Sequence, residues 1–257
     1  MIINNDKIFK DINNNRKVIN ELFNEPLIRN PFVEDFAKRF CWSSNHIEGN
    51  TLSLDETIEF LEYDTVKSKH TYTEYTEAKS LYKTIQKFLI PIQTRDISET
   101  YIKSVNAMIM NSDGMYRMSD VYIGSLTEAV YYPPKWGDVS EYMKNYIETV
   151  NKINSYDVCT IMCFLAEKHM EFERIHPFVD GNGRTGRVIL NQQLINYGFL
   201  PVCIDRTSDY RQAFRMYDKN KDISKMVHII CKEQIRSGER ILQLNEKLNR
   251  AYQKKPR

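Results

Sequence analysis

Apolar residues recur at spacings of three and four along most of the chain, and this periodicity limits the possible folds more than any other feature of the sequence. Such spacing is typical of helices that bury one face and expose the other. Glycine and proline, the residues that interrupt helices, number only nine and eight among 257 residues. The sequence therefore predicts an all-α fold, a bundle of helices.

Capping residues indicate where several of these helices begin. Ser53 and Thr71 each stand three residues before a glutamate, Glu56 and Glu74, whose side chain can bond back to the cap. Apolar periodicity predicts five further stretches of helix, the last as one or two segments: residues 98–110, 139–152, 155–173, 184–197 and 223–248.

One segment departs from the helical pattern. Residues 116–132 are rich in tyrosine, valine and isoleucine, carry Gly124 near their middle and end at Pro133 and Pro134. β-Branched and aromatic residues around a glycine favour a short β-hairpin or an extended flap. We predict this hairpin as the one β element of the fold.

Charge and cysteine content argue against several classes of protein. The 36 Lys and Arg residues nearly balance 34 Asp and Glu residues, so no overall field draws the chain to nucleic acid or to an anionic membrane. Five cysteines without a Cys-x-x-Cys spacing favour a reducing compartment over a disulfide framework or a zinc ribbon. No apolar run approaches the roughly 20 residues of a membrane span, and the start lacks a signal-peptide pattern. We therefore expect a cytoplasmic protein without a membrane or nucleic-acid partner.

The most informative segment, residues 176–187, reads His-Pro-Phe-Val-Asp-Gly-Asn-Gly-Arg-Thr-Gly-Arg. Pro177 should end one helix, and the turn at residues 181–183 should lead into the next. A glycine-containing turn at a helix N-terminus offers free backbone N–H groups and the positive end of the helix dipole to an anion. Arg184 and Arg187 would share one face of the first turn, where two guanidiniums suit a polyphosphate.

Two further side chains of this segment fit phosphoryl-type chemistry. Asp180 would oppose the phosphates unless a cation bridges them, and Mg²⁺ held by one carboxylate and phosphate oxygens is the usual arrangement for ATP. His176 is the residue there whose ordinary pKa, near 6.5, suits removal of a proton from an attacking hydroxyl. The residues thus indicate a Mg²⁺–polyphosphate site with a base beside it.

The segment resembles the signature of the Fic family, His-Pro-Phe-x-(Asp or Glu)-Gly-Asn-Gly-Arg-x-x-Arg, at every specified position. The resemblance implies a Fic-type helical bundle with a small β-hairpin flap and the activity of a protein adenylyltransferase. In such a protein, His176 deprotonates a Ser, Thr or Tyr hydroxyl that attacks the α-phosphate of ATP, and Asp180 binds Mg²⁺. Phe178 would anchor the loop, and Asn182 would face the α-phosphate. The ATP-binding residues implied in the loop are Asp180, Gly181, Asn182, Gly183, Arg184, Thr185, Gly186 and Arg187.

Other segments are similar to parts of the Fic core that meet the substrates. Residues 116–134 resemble the flap on which a target protein docks by strand addition. The ATP contacts implied there are Val121, Tyr122, Ile123 and Gly124. Tyr210 matches a segment that supplies an aromatic to the adenine pocket, although a structural role fits equally well. Asp218 stands where relatives often carry Asn as a nucleotide contact, which leaves base preference open. We interpret His169 as a packed core histidine.

Residues 44–49, Ser-Asn-His-Ile-Glu-Gly, resemble a second Fic signature, (Ser or Thr)-x-x-x-Glu-(Gly or Asn), which marks a self-inhibited branch of the family. On a helix predicted over about residues 41–49, Ser44 and Glu48 lie one turn apart on a shared face, and the following glycine suits the helix end. The resemblance implies that Glu48 pairs with Arg187 where the γ-phosphate of ATP should bind. The protein would then rest in an inhibited state.

We expect three parts along the chain: an N-terminal helical region at 1–97, a Fic core at 98–233, and a C-terminal helix with a basic tail at 234–257. The protein itself is an expected substrate. Other nucleotides, phosphocholine, removal of AMP with Glu48 orienting water, and a homo-oligomer all stay open. Two readings from other classes are a catalytically idle nucleotide-binding module on a Fic scaffold and a nucleic-acid-binding regulator, the latter suggested only by the basic tail and a pI of 8.1.

Overall fold

The computed structural model describes residues 6–124 and 129–253, which form ten α-helices and one two-stranded antiparallel hairpin. The prediction of an all-α fold with a small hairpin is confirmed. The hairpin turn at residues 125–128 and the basic tail at 254–257 lie outside the described residues. Within the described ranges, no helix combines the length and the apolar character needed to cross a membrane.

The N-terminal half contains five helices: α1 (Asp6–Asn24), α2 (Pro26–Ile47), α3 (Leu54–Tyr63), α4 (Tyr72–Phe88) and α5 (Glu99–Met110). The hairpin consists of β1 (Ile123–Gly124) and β2 (Ala129–Tyr131), and a short 3₁₀ turn (Trp136–Asp138) follows it. The C-terminal half contains five more helices: α6 (Val139–Val150), α7 (Val158–Ile175), α8 (Asn182–Asn196), α9 (Thr207–Asn220) and α10 (Ser224–Gln253).

The predicted capping boxes begin α3 and α4. Ser53 accepts a hydrogen bond from the backbone N–H of Glu56, and the Glu56 carboxylate accepts one from the backbone N–H of Ser53. Thr71 and Glu74 form the same reciprocal pair at the start of α4. Each box satisfies backbone donors that a helix start leaves free, so these two helix starts could be read from the sequence.

Several helices differ from the sequence prediction. The C-terminal stretch, predicted as one or two segments, forms one helix, α10, so the expected domain boundary between residues 233 and 234 falls inside a helix. The helix carrying the second signature begins at Pro26 rather than near residue 41. The periodicity did not predict α1 or α9. In α1 the run Asn13-Asn14-Asn15 obscures the pattern, because asparagine favours turns over helix interiors.

Helix α8 lies at the centre of the bundle, and almost every side chain from Arg184 to Ile195 is buried. Val188 and Ile189 belong to a core shared with α2, α4, α5 and α6. Leu190 and Leu194 belong to a second core shared with α7, α9 and α10. Because α8 packs into both cores, its N-terminus is held in a fixed position at the end of the α7–α8 loop.

Helix α2 packs against α3, α4 and α10, and it also contacts α8. Its buried face includes Phe32, Phe36 and Phe40, which recur every four residues and so line one side of the helix. This packing brings the C-terminal end of α2 to the N-terminal turn of α8.

Candidate active site

The loop between α7 and α8 is braced from inside. The Phe178 ring is buried and packs on Tyr116, with 5.6 Å between the ring centroids. The side-chain oxygen of Asn182 accepts a hydrogen bond from the Phe178 backbone N–H, and its amide nitrogen donates to the Phe178 carbonyl, both at 2.9 Å. Phe178 thus anchors the loop as predicted. Asn182, expected to face the α-phosphate, uses its whole side-chain amide to hold the loop closed.

His176 ends α7 in a left-handed backbone conformation, with φ at 50°. Its ring nitrogen Nδ1 lies 3.3 Å from the Glu173 carbonyl. Because a carbonyl can only accept, this bond requires the proton on Nδ1 and leaves Nε2 with a free lone pair. Burial lowers the pKa of His176 to about 4, and the nearby cations Arg117 and Arg174 also lower it. The ring is therefore neutral at physiological pH and can accept a proton.

The N-terminus of α8 faces the same loop. Its N-cap is Gly181, with φ at 76°, and no side chain caps the helix there. The first backbone N–H groups of a helix lack partners within it and carry the positive end of its dipole. Gly183, in this first turn, has no side chain to cover them. The turn is therefore available to an anion, and the Asp180 carboxylate beside it is 68% exposed.

Arg187 is buried beside this turn and bonded to the end of α2. Its Nε donates to Ser44 Oγ at 2.8 Å, and its Nη2 donates to the Ser44 carbonyl at 2.8 Å and to Glu48 Oε1 at 2.6 Å. Its remaining nitrogen, Nη1, has no partner among the described residues. A Cβ placed on Gly183 would lie 3.0 Å from Nη1, so this unpaired donor lies against the anion-binding turn.

Glu48 follows the last residue of α2, and the chain turns sharply after it. Gly49 has a φ of 102°, and the backbone N–H of Asn50 donates to the Asn45 carbonyl at 3.1 Å to close the helix end. A side chain at Gly183 would overlap the Glu48 carboxylate, so the close approach requires glycine there. Burial alone would raise the pKa of Glu48, but the Arg187 guanidinium outweighs it and holds that pKa below its usual value. The second signature thus brings its glutamate to Arg187, as the sequence predicted.

Arg184 is also paired with acids. Its Nη1 lies 3.2 Å from Glu77 Oε1 on α4, and its Nη2 lies 3.6 Å from Asp180 Oδ1. The two arginines expected to bind phosphates are therefore both paired with carboxylates: Arg187 with Glu48 at the end of α2, and Arg184 with Glu77 of α4 and Asp180 of the loop. The resemblance implied the pairing of Arg187 with Glu48. Nothing in the sequence indicated the contact between Arg184 and Glu77.

The start of the flap is tied to the loop by Arg117, which is buried. Its Nε donates to the His176 carbonyl at 2.9 Å, and its backbone N–H donates to the Pro177 carbonyl at 2.9 Å. Its two terminal nitrogens donate to the carbonyls of Ser119 and Pro134, at either side of the flap. Arg117 therefore fixes the flap to the backbone of the candidate base.

The flap residues expected to contact ATP lie along the first strand and just before it. Ile123 and Gly124 form β1 and pair with Tyr131 and Ala129 of β2, with an irregular register between them. Tyr122 is exposed and Val121 is partly buried. Their contacts with a nucleotide stay a prediction.

The residues expected near the adenine have partners within the protein. Tyr210 is buried, and its hydroxyl lies 2.7 Å from His169 Nε2. The Asp218 carboxylate forms two bonds with Arg174, at 2.6 and 2.7 Å. His169 is buried as predicted. Tyr210 and Asp218 therefore have structural partners, and a role for either in binding the base is untested.

Arg174 links the flap to α9. Its guanidinium lies 4.6 Å from the ring centroid of Tyr131 in β2 and 4.4 Å from that of Phe214 in α9, while Asp218 fixes its far end. No sequence motif marked Arg174 or Asp218 as a pair, since they are separated by 44 positions.

A buried acid, Glu173, lies behind Arg187. Its Oε1 is buried without a hydrogen-bond partner among the described residues and lies against Gly186, where a Cβ would overlap it. Burial raises the pKa of Glu173 to about 7, and the nearby Glu48 charge acts in the same direction, while the guanidiniums of Arg187 and Arg174 oppose it. Near neutral pH this carboxyl therefore changes its charge. Its position next to the motif gave no sign of burial, because α7 is amphipathic and glutamate is usually exposed.

An all-α fold that carries a neutral histidine beside an uncapped, arginine-flanked helix N-terminus defines a Fic-type protein. The sequence profile of the Fic/DOC family matches residues 96–194. The chain belongs to the Fic family.

Similar proteins support this assignment. The chain is 30% identical over 193 residues to proteins named protein adenylyltransferase Fic from Aedes aegypti and Drosophila melanogaster. The match covers 72% of this chain and 38% of each relative, so the chain spans about two fifths of their length.

Solved structures share the fold. A Fic-domain-containing signalling protein from Bacteroides thetaiotaomicron superposes with a TM-score of 0.80 at 22% identity, covering 93% of this chain and 97% of that one. Fic-1 from C. elegans superposes with a TM-score of 0.77 at 22% identity, covering 93% of this chain and 71% of that one.

Proposed function

We propose that this protein is an adenylyltransferase that moves AMP from ATP to a hydroxyl group of a protein. The observation that carries the proposal is the free Nε2 of His176 beside the uncapped N-terminus of α8. This arrangement puts a neutral base next to a site for phosphate oxygens. Relatives named protein adenylyltransferase, at 30% identity, support the same reaction.

Each residue of the site has a separate role in this reaction. His176 Nε2 takes the proton of a Ser, Thr or Tyr hydroxyl, whose oxygen forms a bond to the α-phosphorus of ATP. The bond from that phosphorus to the bridging oxygen breaks, and pyrophosphate leaves. Backbone N–H groups of residues 182–184 stabilise the charge that develops on the phosphate oxygens. Arg184 and Arg187 bind the β- and γ-phosphates once their carboxylate partners release them.

Mg²⁺ is the proposed cofactor, and Asp180 is the residue that would hold it. Among the described residues, no cluster of three or more His, Cys, Asp or Glu side chains could hold a metal ion by itself. One exposed carboxylate beside a phosphate site fits Mg²⁺, which is usually bound by one or two carboxylates together with substrate phosphates. When bound, Mg²⁺ neutralises phosphate charge. The Asp180 carboxylate has first to leave Arg184.

In the resting state, Glu48 inhibits the transfer. Its carboxylate occupies the guanidinium that would otherwise bind the γ-phosphate, and it adds negative charge where the triphosphate must lie. ATP would then bind in a pose that does not align the α-phosphate with an attacking hydroxyl. Removal of the Glu48 carboxylate should therefore activate the enzyme.

The flap at residues 116–134 is the proposed docking site for the target. β1 and β2 form an isolated two-stranded ribbon, and an extended peptide could add to an unpaired edge through main-chain hydrogen bonds. This mode requires no particular target side chain apart from the attacking hydroxyl. The protein itself is a proposed substrate as well.

Mass spectrometry of Glu48→Gly tests the proposal directly. The variant is incubated with Mg²⁺ and an equimolar mixture of ATP, GTP and UTP, and the intact protein is weighed. We expect a mass increase of one adenylyl group, and no increase in Glu48→Gly combined with His176→Asn. ATP binding without any covalent product would instead support the idle nucleotide-binding module.

A further inference from the structure

Arg184 is held by a carboxylate that neither Fic signature contains. The Arg184 side chain is only 4% exposed, and its Nη1 lies 3.2 Å from Glu77 Oε1. Glu77 belongs to α4, in the N-terminal region, and its side chain is 31% exposed. A charge from outside the α7–α8 loop therefore lies directly on a residue proposed to bind phosphate.

The Glu77 carboxylate is itself fixed from the other side. Asn50 donates from Nδ2 to Glu77 Oε2 at 3.0 Å and to the Glu74 carbonyl at 3.0 Å. The backbone N–H of Thr51 donates to Glu74 Oε1 at 2.8 Å. The start of α4 is thus bound to the turn that follows Glu48, and each oxygen of Glu77 has one partner.

The charges at this point oppose the binding of a polyphosphate. Arg184 meets Glu77 through one nitrogen and Asp180 through another, so its positive charge is already shared between two acids. A triphosphate that binds Arg184 would be repelled by the Glu77 carboxylate, which lies 3.2 Å from the same guanidinium. A single contact with a partly exposed carboxylate is weak, so a phosphate oxygen can displace it.

We propose that Glu77 is a second restraining carboxylate, which acts through Arg184 and sets the affinity of the site for the polyphosphate of ATP. The proposal rests on the proposed function of the same site. Its effect differs from that of Glu48, because Glu48 controls the pose of the γ-phosphate and therefore the rate of the chemical step. Glu77 lowers affinity without altering that alignment, so its removal should lower KM and leave kcat nearly unchanged.

Glu77→Gln is the sharpest variant for a test. Glutamine keeps the shape of the side chain and one oxygen that can accept from either Arg184 or Asn50. The charge is removed and one of the two contacts survives, while the other is lost to the amide NH2 group. Asp64→Asn is the matched control. Asp64 is an exposed carboxylate at the end of α3, and it pairs at 3.4 Å with Lys79, which lies on α4 like Glu77. Glu77→Ala is a second variant, should the glutamine disturb the turn.

Isothermal titration calorimetry with Mg²⁺–ATP, and separately with inorganic tripolyphosphate, measures the affinity. We expect Glu77→Gln to bind both ligands roughly 3- to 10-fold more tightly than the wild type, a gain that shrinks as salt screens the charge. Asp64→Asn should match the wild type. In the Glu48→Gly background, Glu77→Gln should lower KM by the same factor.

The outcomes separate this proposal from the proposed function. Unchanged or weaker binding by both Glu77 variants, with AMP transfer by Glu48→Gly intact, would overturn the role of Glu77 alone. Tighter binding by Glu77→Gln without AMP transfer by any variant would support the proposed role of Glu77 in polyphosphate binding and contradict the proposed reaction. Failure of every variant to bind ATP or tripolyphosphate would contradict both.

Discussion

Arg187 Nη2 lies 2.6 Å from Glu48 Oε1, and this bond joins two residues that are 139 positions apart in the chain. Ser44, one helical turn before Glu48, accepts two further bonds from the same guanidinium. The arginine is therefore fixed in orientation by residues 44–48, and its Nη1 has no hydrogen-bond partner within the described part of the chain. The Arg187 side chain is 2% exposed and the Glu48 side chain 36%, so salt screens this pair less than an ion pair on the surface.

Glu48→Gly should raise the rate of AMP transfer, roughly 5- to 150-fold, the range typical of coupling between two sites. The variant frees Arg187 for the γ-phosphate but leaves a buried guanidinium with fewer bonds, so its free energy of unfolding should fall by about 1–2 kcal/mol. Transfer of labelled AMP and chemical denaturation measure the two effects.

Glu25→Gly is the control for this variant. Glu25 is exposed and precedes the opposite end of α2, where its side chain makes no cap bond. The control removes the same charge from the same helix and should change neither rate nor stability appreciably. Equal activation of both variants would argue against a specific contact with Arg187.

His176→Asn should abolish AMP transfer, with a loss of at least roughly 10²- to 10⁴-fold, the usual contribution of a general base. Asparagine tolerates the left-handed conformation that His176 adopts, at φ 50°, so this variant should fold more stably than His176→Ala by about 1 kcal/mol. ATP binding should persist in both variants, because the ring is not among the proposed phosphate ligands. Undiminished labelling by either variant would remove His176 from the mechanism.

Gly183→Ala should destabilise the protein less when the Glu48 carboxylate is absent. In the wild type, the added Cβ overlaps the Glu48 carboxylate and should destabilise the protein by about 1–3 kcal/mol. In the Glu48→Gly background, the overlap with the carboxylate is gone and only the 3.0 Å approach to Arg187 Nη1 remains. The gain of about 1 kcal/mol from replacing a helical glycine should then offset most of the loss. A double-mutant cycle from thermal unfolding gives the comparison. An equal loss in both backgrounds would contradict the close approach of Glu48 to Gly183.

Glu173→Gln should stabilise the protein increasingly as the pH rises. The folded state holds a proton on Glu173 up to about pH 7, whereas the unfolded chain releases it near the ordinary pKa of 4.5. The folded state therefore binds this proton more tightly than the unfolded chain does. The contribution of protonated Glu173 to the free energy of unfolding is complete below pH 4.5 and is lost as the pH rises through 7. Glutamine cannot ionise, so relative to the wild type it should gain roughly 1–3 kcal/mol at pH 8.

Denaturant unfolding at pH 5 and pH 8 measures this difference. Glu167→Gln makes the same chemical change at an exposed position of α7 and serves as its control. If the two variants showed the same pH dependence, Glu173 would ionise as an ordinary exposed glutamate.

Features of the fold with a local cause could be predicted from the sequence. The start of α3 is set by two residues, Ser53 and Glu56, and the end of α2 by the glycine after Glu48. The loop at residues 176–187 was recognisable because its glycines, arginines and histidine stand together in one short segment whose residue types all suit a polyphosphate ligand. Helix α9 was missed because it is polar on most of its surface and takes its stability from packing on α10.

Long-range pairs could not be read in the same way. Glu77 meets Arg184 across 107 positions, and Arg174 meets Asp218 across 44. Each pair arises because two helices pack at a particular angle, which no local pattern specifies. Asn182 shows the converse, since its place in the motif suggested a ligand contact while the closed loop engages its side chain internally.

The position of Glu48 is decided by the hydrophobic core. Helix α2 has 22 residues and so extends about 33 Å, with Phe32, Phe36 and Phe40 buried along its length and the Glu48 carboxylate just beyond its C-terminal end. A small tilt of this helix, from a repacked phenylalanine, would move the carboxylate away from Arg187. Under the proposed inhibition, the packing of the core and the resting state of the site are therefore coupled through one helix.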